Sequence, residues 1–109
     1  MKKDLERILK FRAEREWEKF HSPKNLAISL SIEASELLEN FQCTPNNEID
    51  ESRRNEIKEE IADIYYYLLL IAYESNIDIS SVFEKKMKLN EEKYPIEKSK
   101  GKSTKYNKL

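Results

Sequence analysis

Apolar residues recur along this chain every three or four positions, the spacing of helices that each bury one face. Leu5, Leu9, Ala13, Trp17 and Phe20 form the first stripe and predict a helix over roughly Lys3 to Phe20, closed by His21-Ser22-Pro23. Ser22 suits an N-cap and Pro23 a first helical position, so the next stripe, Leu26, Leu30, Leu37 and Phe41, predicts a second helix from about Pro23 to Gln42. Cys43 to Asp50, with Thr44, Pro45, Asn46 and Asn47, has loop chemistry. Ile57, Ile61, Ile64, Leu68 and Ile71 then predict a third helix from about Glu51 to Ser75. After a short loop at Asn76 to Ser80, Ser81 and Glu84 form a candidate capping box for a fourth helix that carries Phe83, Met87, Asn90 and Tyr94 on one face and ends at Pro95.

One glycine and three prolines are too few to turn a many-stranded sheet, while Glu, Lys, Leu and Ile abound. The expected class is all-α: a four-helix bundle over residues 1–95, followed by a lysine-rich, solvated tail over 96–109. The third helix contains Tyr65 to Ala72, apolar around its whole girth. Such a helix needs cover on several sides, which implies a homo-oligomer, dimer or tetramer, with this helix in the interface.

Composition narrows the chemistry. The 109 residues carry 20 Lys plus Arg against 21 Asp plus Glu, a net charge of -1, without the basic surplus that drives nucleic-acid binding. A lone glycine excludes both the GxGxxG fingerprint and a P-loop. A single Cys and a single His exclude an internal disulfide and Cys/His zinc clusters. The longest apolar run, Ile64 to Tyr73, is about half of what spans a bilayer, and the first twenty residues lack a signal-peptide core. These features give the expectation of a soluble, cytoplasmic protein with no membrane partner.

Two helices break the rule that acids lie opposite the apolar stripe. At about 100° per residue, with Leu30 at zero, Leu37 falls at about 340°, Leu26 at about 320°, Glu33 at about 300° and Glu36 at about 240°. At the same step of about 100° per residue, with Ile57 at zero, Ile64 falls at about 340°, Ile71 at about 320°, Glu60 at about 300°, Tyr67 at about 280° and Asp63 at about 240°. Each helix thus places an i, i+3 pair of carboxylates on or beside its apolar face, and antiparallel packing brings the pairs together. Such a cluster needs protons, cationic side chains or a metal. With oxygen ligands only and no ExxH motif, Mg²⁺ fits best, Mn²⁺ being a substitute, and magnesium sites of this kind serve phosphate-ester or phosphoanhydride hydrolysis.

The strings EREWEKFHSPKNLAISLSIEASELLENFQ, EEIADIYYYLLLIA and KMKLNEEKYP, in that order, resemble the all-α nucleoside triphosphate pyrophosphohydrolases of the MazG-like superfamily, most of all the small dCTP pyrophosphatases. The likeness runs from about Phe11 through SKGKSTKY. It implies that Glu33, Glu36, Glu60 and Asp63 ligate Mg²⁺ and that a (deoxy)nucleoside triphosphate is cut between its α and β phosphates. It further implies substrate contacts from Trp17, His21, Tyr67, Asn90 and Tyr94, and phosphate contacts from tail lysines such as Lys102 and Lys105. Most of these have a structural alternative: Trp17 and Tyr67 as core aromatics, His21 as a helix-end residue, Asn90 as an internal hydrogen-bonding group, the lysines as a solvated tail. Two positions depart from the dCTP-directed pattern: Cys43 stands where those members have Trp, and Ile8 where they have His. The competing functional readings are a non-catalytic helical interaction protein and a hydrolase of another nucleotide phosphoanhydride.

Overall fold

A computed structural model describes residues 1–45 and 48–109; Asn46 and Asn47, read above as loop, lie outside the described residues. Among the described residues every regular element is helical: α1 (Lys2–Glu14), α2 (Pro23–Glu39), α3 (Arg54–Glu74), α4 (Ile79–Lys93) and α5 (Ile96–Ser99), with single 3₁₀ turns at Glu18–Phe20, Glu51–Arg53 and Tyr106–Lys108. The all-α expectation holds. The chain forms two compact units, Met1–Ile77 and Asp78–Leu109.

In the first unit α2 packs mainly against α3, and α1 also contacts α3. Asn40 accepts from Arg53 at one end of the α2/α3 pair, Glu33 meets Glu60 along it, and Ser29 lies at Tyr67 farther on. Partners that rise on one helix as they fall on the other make the two antiparallel. Leu26, Ile57, Leu69, Leu70 and Ala72 are buried, while Ile28, Ile32, Leu38, Ile61 and Leu68 of the same helices are exposed.

Helix ends explain where the sequence reading overshot. Helix α1 stops at Glu14 rather than Phe20, because Glu16 takes a left-handed conformation (φ 55°). The Trp17 and Glu16 amides then donate to the Arg12 and Ala13 carbonyls, a Schellman closure, and Trp17 leaves the helix. Helix α3 ends the same way, with Asn76 at φ 56° and the Ile77 amide on the Ala72 carbonyl. Helix α2 begins as expected, the Ser22 hydroxyl accepting from the Asn25 amide at 3.2 Å, but ends at Glu39 instead of Gln42. Residues Glu51–Arg53 form a 3₁₀ turn ahead of α3. The cap of α4 is Asp78, which accepts from the Ser80 amide, and not the Ser81/Glu84 box.

In the second unit the tail, expected to be solvated, carries short helical elements. Helix α5 occupies its start, and Tyr106 meets Tyr94 edge-on at 6.1 Å between ring centres, with the Lys93 ammonium 4.7 Å from the Tyr106 ring centre.

Candidate active site

Three of the four acids singled out by helical phase converge. Glu33 and Glu36, one turn apart on α2, and Glu60 on α3 offer carboxylate oxygens that all lie within 4.8 Å of one another, half-buried between the helices. Glu33 Oε2 and Glu60 Oε2 are shielded from solvent and have no hydrogen-bond partner among the described residues. Ionised carboxylates only accept, so two that face each other lack a donor unless a proton is shared. The Glu33 carboxyl is accordingly pushed up to about 8, by its contact with Glu60 first, then by burial and by Glu36. Orphaned oxygens from three converging carboxylates fit a hard divalent cation, which would supply the missing positive charge.

Asp63, one turn beyond Glu60, stands outside this close trio and lines a neighbouring cleft of about 650 Å³ between α1 and α3. Trp17, His21 and Tyr67 line the same cleft, together with Asp4, Arg7, Phe11 and Tyr66. An aromatic run leads through it: Trp17 meets Phe11 edge-on at 5.5 Å, Phe11 meets Tyr66 at 6.4 Å, and Tyr66 meets Tyr67 at 5.0 Å. Burial and then the charges of Glu33 and Asp63 raise the Tyr67 phenol, which therefore stays protonated and links cleft to acids. Trp17 is 41% exposed, too open for a core residue and well placed as a flat wall. Ile8, the position that departs from the dCTP-directed pattern, is also on the cleft wall.

Asn90, Tyr94, Lys102 and Lys105 belong to the second unit, Asn90 half-buried on α4 and the two lysines exposed. Cys43 is exposed beyond the end of α2.

One residue escaped the sequence reading. Arg12 sits in a helix crowded with charges, yet its side chain is only 7% exposed. Its Nη2 donates to Glu74 Oε1 at 2.5 Å, its Nη1 lies 3.3 Å from His21 Nδ1, and its guanidinium stands over the Tyr73 ring. Burial, then the Arg12 charge, lower His21 below the usual imidazole value, with Glu74 and Glu18 opposing.

The model of the MazG-like family matches residues 28–109, a stretch that holds all three converging acids and Asp63. The chain belongs to the MazG-like family. Among curated relatives of this MazG-like chain, dCTP pyrophosphatase 1 of Bos taurus is 37% identical over 97% of the chain, and that of Homo sapiens 34% identical over the same share. The chain spans 66% of the length of these curated relatives. A crystal structure of a pyrophosphatase from Archaeoglobus fulgidus is 44% identical, with a TM-score of 0.81 over 87% of this chain and 92% of its own.

Proposed function

We propose that this MazG-like protein is a Mg²⁺-dependent nucleoside triphosphate pyrophosphohydrolase, converting a (deoxy)nucleoside triphosphate and water to the monophosphate and pyrophosphate. The observation that carries the reading is the uncompensated trio Glu33, Glu36 and Glu60 beside an aromatic cleft large enough for a nucleoside. Relatives named as pyrophosphatases support it.

Glu33, Glu36 and Glu60 hold the cation, with Asp63 completing the acidic set toward the cleft. Bound there, Mg²⁺ supplies charge neutralisation to the triphosphate and lowers the cost of deprotonating water. Trp17 offers a stacking face to the base, and His21 and Tyr67 offer polar edges beside it. A carboxylate of the set accepts the proton of the attacking water as it adds to the α phosphorus; the bond to the bridging oxygen breaks and pyrophosphate departs. The resemblance extends substrate contact to Asn90, Tyr94, Lys102 and Lys105, within a catalytic domain of residues 1–95 and a phosphate-contacting tail over 96–109. Pool cleaning of dCTP or a modified dCTP is the substrate choice that the named relatives favour. The exposed Ile28, Ile32, Ile61 and Leu68 support a homo-oligomer built on α2 and α3; the cytoplasm is the compartment proposed for it. No helix among the described residues is long and apolar enough to cross a membrane.

The test is a panel of canonical and modified nucleoside triphosphates with and without Mg²⁺, with products resolved by ³¹P NMR. Monophosphate plus pyrophosphate is the expected outcome. Diphosphate plus orthophosphate would redirect the reading to another phosphoanhydride hydrolase, and no turnover of any substrate would favour the interaction protein.

A further inference from the structure

The cleft is lined by the chain's single histidine, and the group behind that histidine decides what it can offer. Arg12 Nη1 lies 3.3 Å from His21 Nδ1. A guanidinium has donors only and does not lose its proton in proteins, so Nδ1 must be the acceptor of this contact and carry no hydrogen. The one ring proton then sits on Nε2, on the edge turned away from Arg12. Arg12 itself has little freedom: it is tied to Glu74 at 2.5 Å, caged over Tyr73 and almost closed to solvent. Glu74 lies at the C-terminal end of α3, so the chain of contacts runs from α3 through α1 to the residue that precedes the Ser22 cap.

We propose that Arg12 is a positioning residue that holds His21 as its Nε2–H tautomer, so that the cleft beside Trp17 presents a directed N–H donor to a carbonyl oxygen or unprotonated ring nitrogen of the substrate's base. Arg12 touches no substrate in this scheme; it acts through the imidazole. The groups facing that ring are Arg12 from α1, Glu18 from the 3₁₀ turn and Glu74 from α3. Burial and the adjacent guanidinium disfavour a second proton on the ring, which keeps Nδ1 free to accept. The donor role rests on the nucleotide reading of the cleft; the tautomer does not.

The experiment is long-range ¹H–¹⁵N NMR of the full chain with ¹⁵N-labelled histidine, in which a single imidazole gives one unambiguous pattern. Wild type is expected to show a pyridine-like Nδ1 and a pyrrole-like Nε2. In Arg12→Met the pattern is expected to collapse to exchange-averaged tautomers. KM for a nucleoside triphosphate should then rise about tenfold while kcat stays within about twofold, because a ground-state contact to the base is lost. Arg12→Lys, which keeps a charged donor behind the ring, should restore much of both and also serves if the Met variant folds poorly by circular dichroism. A pyrrole-like Nδ1 in wild type overturns the proposal, as does an Arg12→Met protein that keeps the wild-type pattern and KM. If wild type cleaves no nucleotide, the functional reading falls, with the donor role that depends on it, while the wild-type spectrum still decides whether Arg12 sets the tautomer.

Discussion

Glu33→Gln separates what the acidic trio costs the metal-free protein from what it contributes with a cation bound. Two unit charges 4.8 Å apart, the outer limit of the spacing among Glu33, Glu36 and Glu60, repel by about 3.5 kcal/mol at an effective dielectric of 20 and by about 0.9 kcal/mol in bulk water. The site is half-buried, so screening places the cost of ionising Glu33 at about 2 kcal/mol. The sign follows from where the group titrates: about 8 in the fold against an ordinary value of 4.5. Between those values the folded chain binds more protons than the unfolded one, so this group's stabilising contribution is complete below about pH 4.5 and is lost as the pH rises through 8. Glutamine cannot ionise. In chelator the variant should therefore melt with wild type near pH 5 and above it at pH 9, by about 2 kcal/mol or about 10 °C. Excess Mg²⁺ should reverse the order at pH 9, because only the intact trio binds the ion tightly and each hundredfold excess over Kd adds about 2.7 kcal/mol. Thermal melts at both pH values, with chelator and with Mg²⁺, read all of this. Equal melting of the two proteins at pH 9 in chelator, or a less stable variant there, would refute the uncompensated crowding on which the site is built.

Three further outcomes are expected. Glu74→Ala, by stranding the buried Arg12 guanidinium, should cost about 3 kcal/mol in urea unfolding, and adding Arg12→Met to it should recover part of that loss. Leu70→Ala, at a site with no solvent exposure, should cost about 3 kcal/mol with an unchanged m-value. Trp17→Ala should raise KM for nucleoside triphosphates by a factor corresponding to about 1 to 3 kcal/mol of stacking, with little change in melting temperature because the ring is 41% exposed.

How much of this was legible in the sequence depended on whether the signal was local. The converging acids were readable because helical phase is fixed by sequence alone: Glu33 and Glu60 had to lie near the stripes of Leu30 and Ile57, and antiparallel α2 and α3 brought them together. Asp63 shared that phase but lay a turn farther along α3, and the structure places it on the cleft wall instead of in the close trio. The end of α1 was missed because its left-handed closing residue is Glu16, a residue type that gives no warning, whereas Asn76 does the same work for α3 with a side chain that tolerates the conformation. The cap of α4 was misplaced because Asp78 and Ser81 are both good caps and only the backbone direction chooses between them. Arg12 was invisible in principle: among neighbours such as Lys10 and Arg15 it looks solvated, and its partner Glu74 is 62 positions away.

Glu33, Glu36 and Glu60 are proposed to hold a divalent cation. Anomalous diffraction from a crystal soaked in Mn²⁺ tests it directly. A manganese peak within ligand distance of all three carboxylates is the expected result; a soaked crystal with no peak there, or with its manganese bound away from α2 and α3, would contradict it.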